Sequence, residues 1–362
     1  MVPMDLVTGF PGFIGRRLVA ELLRDDPALR VVCVVEARMH DAAQAAAAAL
    51  PGGDRVEIVA GDIAQRRLAL SAADYDRLTG GVRRVFHLAA VYDLAVPIEI
   101  AQRVNVDGTG NVLELCGDAA ALERLVYVST AYVAGGRTGV VYEHELAMGQ
   151  SFKNHYESTK FQAEVWVQRE MGVVPTTILR PAIVVGDSRT GETAKFDGPY
   201  YVLRTIAQLH RRRLPVPQFG HRQAAFNVVP VDYVVAAIVE TAKLAPALSE
   251  TLHLVDPEPL SSRELVSALA FAYAGIEPRG AVPPRLMAEA LRSGAVRRAF
   301  DGTPRESIAY LNHPVTFDSR RTVDLLGPRG LTPPRFGDYV AAMVGFFSEH
   351  QADPAFGSAR SL

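Results

Sequence analysis

Three glycines near the start of the chain restrict its fold more than any other feature. In Thr8-Gly9-Phe10-Pro11-Gly12-Phe13-Ile14-Gly15 they recur at every third position. A short strand-forming run, Asp5-Leu6-Val7, precedes them, and a helical pattern over 16–23 follows, with Leu18, Val19, Leu22 and Leu23 on its apolar face. The first glycine permits a tight turn, the second lets a backbone approach a pyrophosphate, and the third allows close helix–strand packing. The helix start adds amide donors and a positive dipole end. Any βα turn can use glycine. The strand before and the helix after turn Thr8 to Gly15 into a candidate dinucleotide-binding loop.

The same alternation continues through the first two-thirds of the chain. Strands are expected over 31–35, 56–59, 85–88 and 125–128, with helices over 42–50, 104–116 and 156–170. The spacing predicts one further strand over 176–185, a polar loop over 186–201, and a helix over 263–274. Continuous apolar strands separated by helices imply a parallel sheet covered on both faces. The expected fold class is therefore α/β, a doubly wound Rossmann sheet with a smaller, mainly helical C-terminal substrate lobe. Residues 1–186 would form the dinucleotide-binding domain, with later strands from about 225–256. Residues 187–362 would form the lobe, interleaved with the sheet. Gly280 to Pro284 reads as a Pro/Gly-rich break, and the chain from Asp353 as a frayed tail.

Residues at the ends of these strands are the candidate cofactor contacts. Glu36, about twenty positions past the glycines, suits the ribose hydroxyls of NAD(H) and would repel a 2′-phosphate. Arg38 could stack on adenine or bind that phosphate, which leaves NADP(H) open; it could equally be a solvated charge. Asp62 and Ile63 suit the adenine edge, although a strand-ending turn also selects Asp. His87-Leu88-Ala89-Ala90 ends the next strand, where small Ala89 lets the backbone pass the cofactor and His87 is expected to be packed.

Bulk properties exclude other classes. The formal net charge is −2, with 38 basic and 40 acidic residues, so nothing favours nucleic acid or an anionic membrane. Cys33 and Cys116 lie in apolar stretches and read as buried thiols, and no metal-ligand spacing occurs. No membrane span and no secretion signal can be read, and the cytoplasm is the expected compartment.

Tyr156-Glu157-Ser158-Thr159-Lys160 places a phenol and an ammonium at i and i+4, on one helix face. A lysine cation beside a tyrosine favours the phenolate and should lower its pKa from about 10. Such a pair can exchange a proton with a carbonyl or alcohol oxygen. The preceding strand ends in two hydroxyls, Ser129 and Thr130, which compete for the substrate oxygen.

Together with Asn105-Val106-Asp107-Gly108-Thr109, Val128-Ser129-Thr130 and Arg180-Pro181, these motifs make the chain resemble the extended short-chain dehydrogenase/reductases over nearly its whole length. The resemblance implies Tyr156 as acid–base, Thr130 as substrate hydroxyl at the usual distance before Gly135, and Lys160 on the nicotinamide ribose. It also implies Asn105 as the helix asparagine near the active site, where a purely structural role is equally open, and Pro181 beside the cofactor. Ala134-Gly135 stands where many members have Tyr-Gly, a departure from the sugar-nucleotide epimerases and dehydratases.

Arg180-Pro181-Ala182-Ile183-Val184-Val185-Gly186, the loop over 187–193, Phe226-Asn227-Val228-Val229-Pro230-Val231-Asp232 and the segment over 333–339 are more similar to the fatty acyl-CoA reductase and thioester-reductase branch. That branch usually carries a basic residue suited to NADP where Glu36 stands.

On the substrate side, Tyr200, Tyr201 and Phe226 are candidates to wall an apolar pocket, or to pack the lobe. Arg211-Arg212-Arg213 reads as a solvated helix end, or as a dock for the phosphates of coenzyme A or a phosphopantetheine arm. The expected activity is hydride transfer between nicotinamide and a carbonyl/alcohol pair on a fatty aldehyde, acyl thioester or lipid-derived ketone. The partners expected are that small molecule, a coenzyme A or carrier-protein thioester, and a second copy in a homodimer. A sugar-nucleotide epimerase holding its NAD, and a non-catalytic dinucleotide sensor or scaffold, are the alternatives.

Overall fold

A computed structural model describes residues 4–92, 96–219, 221–222, 224–282, 286, 289 and 310–356. The first strands are β1 (Met4–Thr8), β2 (Arg30–Val35), β3 (Val56–Ala60), β4 (Val82–His87) and β5 (Arg124–Val128). A short β6 (Gly139–Val141) is followed by β7 (Thr176–Pro181), β8 (Ile183–Val185), β9 (Val228–Pro230), β10 (Thr251–Leu254) and β11 (Val315–Phe317). Seven of them form one parallel sheet in the order β10-β7-β5-β4-β1-β2-β3. The order reverses between β1 and β4, and in such sheets ligands bind beyond the strand C-termini at that switch. The doubly wound fold expected from the strand–helix alternation is the fold observed.

Helices α1 (Phe13–Asp25), α2 (His40–Ala48) and α3 (Ala72–Gly81) connect the first four strands. A short α4 (Ile98–Ala101) passes through a widened helical turn at Gln102–Asp107 into α5 (Gly108–Asp118), and α6 (His155–Glu170) leads to β7. Side chains alternate across the sheet, so Val7 joins the core beneath α1 and α2 while Leu6 joins the core beneath α3, α5 and α6. Later come α7 (Pro199–Arg211), α8 (Val231–Lys243), α9 (Ser262–Ala274), α10 (Arg320–Leu326) and α11 (Phe336–His350). Residues of α8 complete the α1 side of the sheet, whereas α7, α9 and α11 enclose a separate apolar core. Cys33 and Cys116 are free and buried, as their apolar surroundings suggested.

Several local expectations need correction. The strand expected over 176–185 is two strands, because Pro181 brings no amide to the ladder, and β8 leaves the main sheet to pair with β9. Helix α7 begins at Pro199 on a left-handed Gly198, so Tyr200 and Tyr201 are helical and lie outside the loop. Proline in the first turn leaves unmade only a bond that a helix start lacks anyway. In the expected tail Asp353, Pro354 and Ala355 are exposed but Phe356 is anchored: its ring stacks on Phe196 at 4.9 Å and its carbonyl accepts from Arg204 at 2.7 Å. The proline end of the expected 280–284 break lies outside the described residues.

Candidate active site

The candidate residues converge at the C-terminal edge of the sheet. Gly9 has φ +91°, and a Cβ there would stand 2.9 Å from Ala89 N, so the turn lies directly against the end of β4. A Cβ on Gly12 or Gly15 would meet Gly9 O at 2.8 or 2.5 Å. The first turn of α1 has no side-chain cap. Its leading amides therefore remain available to an anion, which is what a dinucleotide pyrophosphate requires. Around this turn Thr8 and Phe10 are buried, Pro11 follows a cis peptide bond, and Ile14 packs on the core. Phe13 lies beneath the Arg17 guanidinium at 4.6 Å.

The adenosine end is less uniform. Glu36 follows β2 and is ion-paired with Arg38, Nε to Oε2 2.6 Å, with both side chains exposed. Asp62 Oδ1 accepts from Ala64 N at 2.9 Å, which is the turn-forming role. Ile63 packs beneath Gly108, and its carbonyl accepts from Asn111 Nδ2 at 2.7 Å. Ala89 is half-buried beside the glycine turn, and Pro181 closes β7 opposite Leu254.

On α6, Tyr156, Lys160 and Glu164 share a stripe that faces β5, and each meets a different hydroxyl. Tyr156 is half-buried, with the Thr130 hydroxyl beside its phenol. Lys160 Nζ donates to Tyr127 Oη at 2.8 Å and to Val128 O at 2.9 Å. Ser129 Oγ donates to Glu164 Oε2 at 2.5 Å. The structure thus separates the two hydroxyls that the sequence left in competition: Ser129 turns into the core, and Thr130 turns to Tyr156.

The electrostatic expectation for the pair is corrected. Burial pushes the Tyr156 pKa up to about 12, only partly offset by the Thr130 hydrogen bond. Burial also pulls Lys160 down to about 7, against the pull of Glu164. The ammonium is aimed at β5, so desolvation rather than the cation governs the phenol.

Asn105 sits in the widened turn before α5, a deviation common at functional sites. Its Oδ1 accepts from Val91 N at 2.8 Å, while Nδ2 donates to Val91 O and to Thr159 Oγ1, both at 3.0 Å. The amide therefore ties the loop after β4 to α6.

Tyr92, one residue further on, was not anticipated. Its ring stands 6.5 Å from that of Tyr156, edge to face, and its hydroxyl donates to Asp197. Tyr201 donates to the same carboxylate at 2.9 Å, and Lys195 Nζ lies 5.1 Å above the Tyr92 ring. Of the expected pocket aromatics, Tyr200 and Phe226 are buried in the lobe core, which is the packing role, and only Tyr201 joins this mouth. Arg211, Arg212 and Arg213 are exposed at the end of α7.

Residues 7–238 match the NAD-binding family described as male sterility protein. The chain belongs to this family. It is thereby a member of the extended short-chain dehydrogenase/reductases, which are NAD(P)-dependent oxidoreductases, in the part that includes thioester-reductase relatives. A linear gramicidin synthase of Brevibacillus parabrevis is 27% identical over 288 residues, covering 73% of this chain and 5% of that protein. A putative fatty acyl-CoA reductase of Drosophila melanogaster is 25% identical over 279 residues, covering 65% of this chain and 53% of its own length. The crystal structure of the terminal R domain from the myxalamid PKS-NRPS biosynthetic pathway superposes with a TM-score of 0.81 at 25% identity, over 97% of this chain and 91% of that one. The chain thus spans about half or less of these curated relatives but nearly all of the R domain. No helix among the described residues is long and apolar enough to cross a membrane.

Proposed function

We propose that this protein reduces an acyl thioester or aldehyde on a largely apolar chain, with Tyr156 as proton donor. The observation that supports this reading is the Tyr156 phenol beside Thr130, past the C-terminal end of β5 and one helical turn from Lys160. A bound nicotinamide supplies the hydride. Thr130 Oγ1 and Tyr156 Oη would hold the substrate oxygen, and Tyr156 would donate the proton that the reduced oxygen takes up. With a thioester the hemithioacetal so formed then breaks its C–S bond, releasing the aldehyde and the protonated thiol. Lys160, with a third N–H beyond those given to Tyr127 and Val128, would hold the nicotinamide ribose. A phenol that stays protonated through neutral pH suits the reductive direction.

The names of the gramicidin synthase, the R domain and the acyl-CoA reductase support a thioester of coenzyme A or a carrier protein as the form in which the acyl group arrives. NADH and NADPH oxidation should be followed with decanal and with decanoyl-coenzyme A. Turnover of either compound is expected, with the aldehyde or alcohol as product. Cofactor retained through purification, with no net NAD(P)H oxidation, would instead point to an epimerase.

For the cofactor we propose a preference for NAD(H). Glu36 follows β2, where its carboxylate would accept the ribose hydroxyls, and its ion pair with Arg38 supports this reading. A lost hydrogen bond to a charged group corresponds to about tenfold in affinity or more. Wild type should therefore bind NADH roughly tenfold tighter than NADPH. Glu36→Ala, which frees Arg38, should reduce or reverse that ratio. Tighter NADPH binding by wild type, removed by Arg38→Ala, would contradict the assignment.

A further inference from the structure

In the run Leu125-Val126-Tyr127-Val128 of β5 the only polar side chain is Tyr127, and burial of an unpartnered hydroxyl there would be costly. Tyr127 is fully buried; its hydroxyl meets Lys160 Nζ at 2.8 Å, its ring packs 5.6 Å from that of His87, and Thr109 lies beside it. The ammonium also stands 4.3 Å from the centre of the Tyr127 ring.

From Thr109 a series of hydrogen bonds runs to the glycine turn. Thr109 Oγ1 donates to Asn105 O at 2.7 Å and accepts from His87 Nε2 at 3.1 Å. His87 Nδ1 then accepts from Thr8 Oγ1 at 2.7 Å, and Thr8 Oγ1 accepts from Ala89 N at 3.3 Å. Each hydroxyl has one proton and each donor one acceptor in this arrangement. Burial pushes His87 down to about 3, so the imidazole is neutral and carries the single proton that the scheme needs. Thr8, His87, Thr109 and Tyr127 are all 1% exposed or less. The chain ends at Ala89 N, the atom against which Gly9 is packed.

We propose that Tyr127 is the positioning residue for Lys160, and that Thr109 and His87 hold Tyr127 in place, so that one buried chain of contacts sets the glycine loop and the ammonium relative to each other. This rests on the reading of Lys160 as the ribose-binding residue. The titratable groups facing Lys160 are Tyr127 on β5, His87 on β4, and Tyr156 and Glu164 on its own helix. Glu164 is held in turn by Arg180 and Ser129. With both phenols and the imidazole uncharged, the Tyr127 oxygen is the neutral acceptor that favours the ammonium.

The test is a titration of NADH and NADPH, read by nicotinamide fluorescence, between about pH 6 and 9. Affinity for the ribose should fall as pH rises through the Lys160 value, because the ammonium is lost. Tyr127→Phe is expected to weaken binding by roughly tenfold and to move the inflection down by about one pH unit. In a Lys160→Met background Tyr127→Phe should add nothing, since its effect passes through that lysine. Thr109→Val should shift binding in the same direction, and Thr109→Ser, which keeps the hydroxyl, should restore it.

Wild-type affinity and inflection in Tyr127→Phe would overturn the proposal. So would an equal loss in the Lys160→Met background, which marks a packing role. If Lys160→Met binds as wild type does, the reading of Lys160 fails and the proposal fails with it. That result is distinct from a Tyr127 effect absent while the Lys160 effect is present.

Discussion

Tyr156→Phe is expected to lower kcat by about 10²–10⁴-fold while leaving NAD(P)H affinity unchanged. In the proposed reading the phenol gives a proton to the substrate oxygen, with the Thr130 hydroxyl beside it. Loss of the hydroxyl removes the acid but neither the glycine turn nor the Lys160 contacts to β5. The pH dependence follows from the same geometry. With its pKa raised to about 12, Tyr156 remains a competent acid until pH approaches that value. Lys160, lowered to about 7, loses its charge as pH rises through neutrality. Activity in the reductive direction should therefore decline from about neutral pH because of Lys160, with the Tyr156 limb far above. Steady-state rates and cofactor titrations on the two proteins separate these effects. A variant that keeps its rate would remove Tyr156 from the chemistry.

Arg180→Met is expected to destabilise the fold by about 3–5 kcal/mol, because it leaves Glu164 charged and buried without its partner. Both side chains are wholly inaccessible, and Arg180 Nη2 lies 2.5 Å from Glu164 Oε1. Arg180 Nη1 also donates to Glu143 O at 3.1 Å and meets His253 Nε2 at 3.1 Å. Glu143 in turn accepts from His253 N, Arg321 N and Thr322 N, so the network joins α6, β7, β10 and α10. Removing both charges together, as Arg180→Met with Glu164→Leu, should cost less than Arg180→Met alone, since no orphaned charge remains. Denaturant unfolding measures both. A single variant as stable as wild type would show that the pair is not held as observed.

Much of this site was legible in the sequence because it depends on short-range spacing. The glycine triplet lies within eight residues, and Tyr156 and Lys160 within one helical turn, so local periodicity was enough to place them. What was missed depends on contacts between distant segments. Tyr127 reads as one more aromatic in an apolar strand until Thr109 and Lys160 are brought to it. His87 and Thr8 are 79 positions apart, and Tyr92 and Asp197 are 105 apart. One signal was available and unread: the i, i+4 spacing of Tyr156 and Lys160 continues to Glu164, opposite the hydroxyl of Ser129. The expected lowering of the Tyr156 pKa was wrong because helix spacing fixes which face a side chain occupies. It does not fix which neighbour a flexible lysine reaches. The start of α7 was marked by Gly198-Pro199, a left-handed glycine before a first-turn proline, which the loop reading passed over.

The central claim is hydride transfer to a substrate carbonyl with Tyr156 supplying the proton. The most direct measurement uses nicotinamide cofactor deuterated at its reactive carbon, in both NADH and NADPH forms, with decanal and decanoyl-coenzyme A as acceptors. Mass spectrometry of the product should show deuterium on the former carbonyl carbon, one label for the aldehyde-to-alcohol step, formed by wild type and nearly absent with Tyr156→Phe. Product without label, or equal labelling by the Tyr156→Phe variant, would contradict the account.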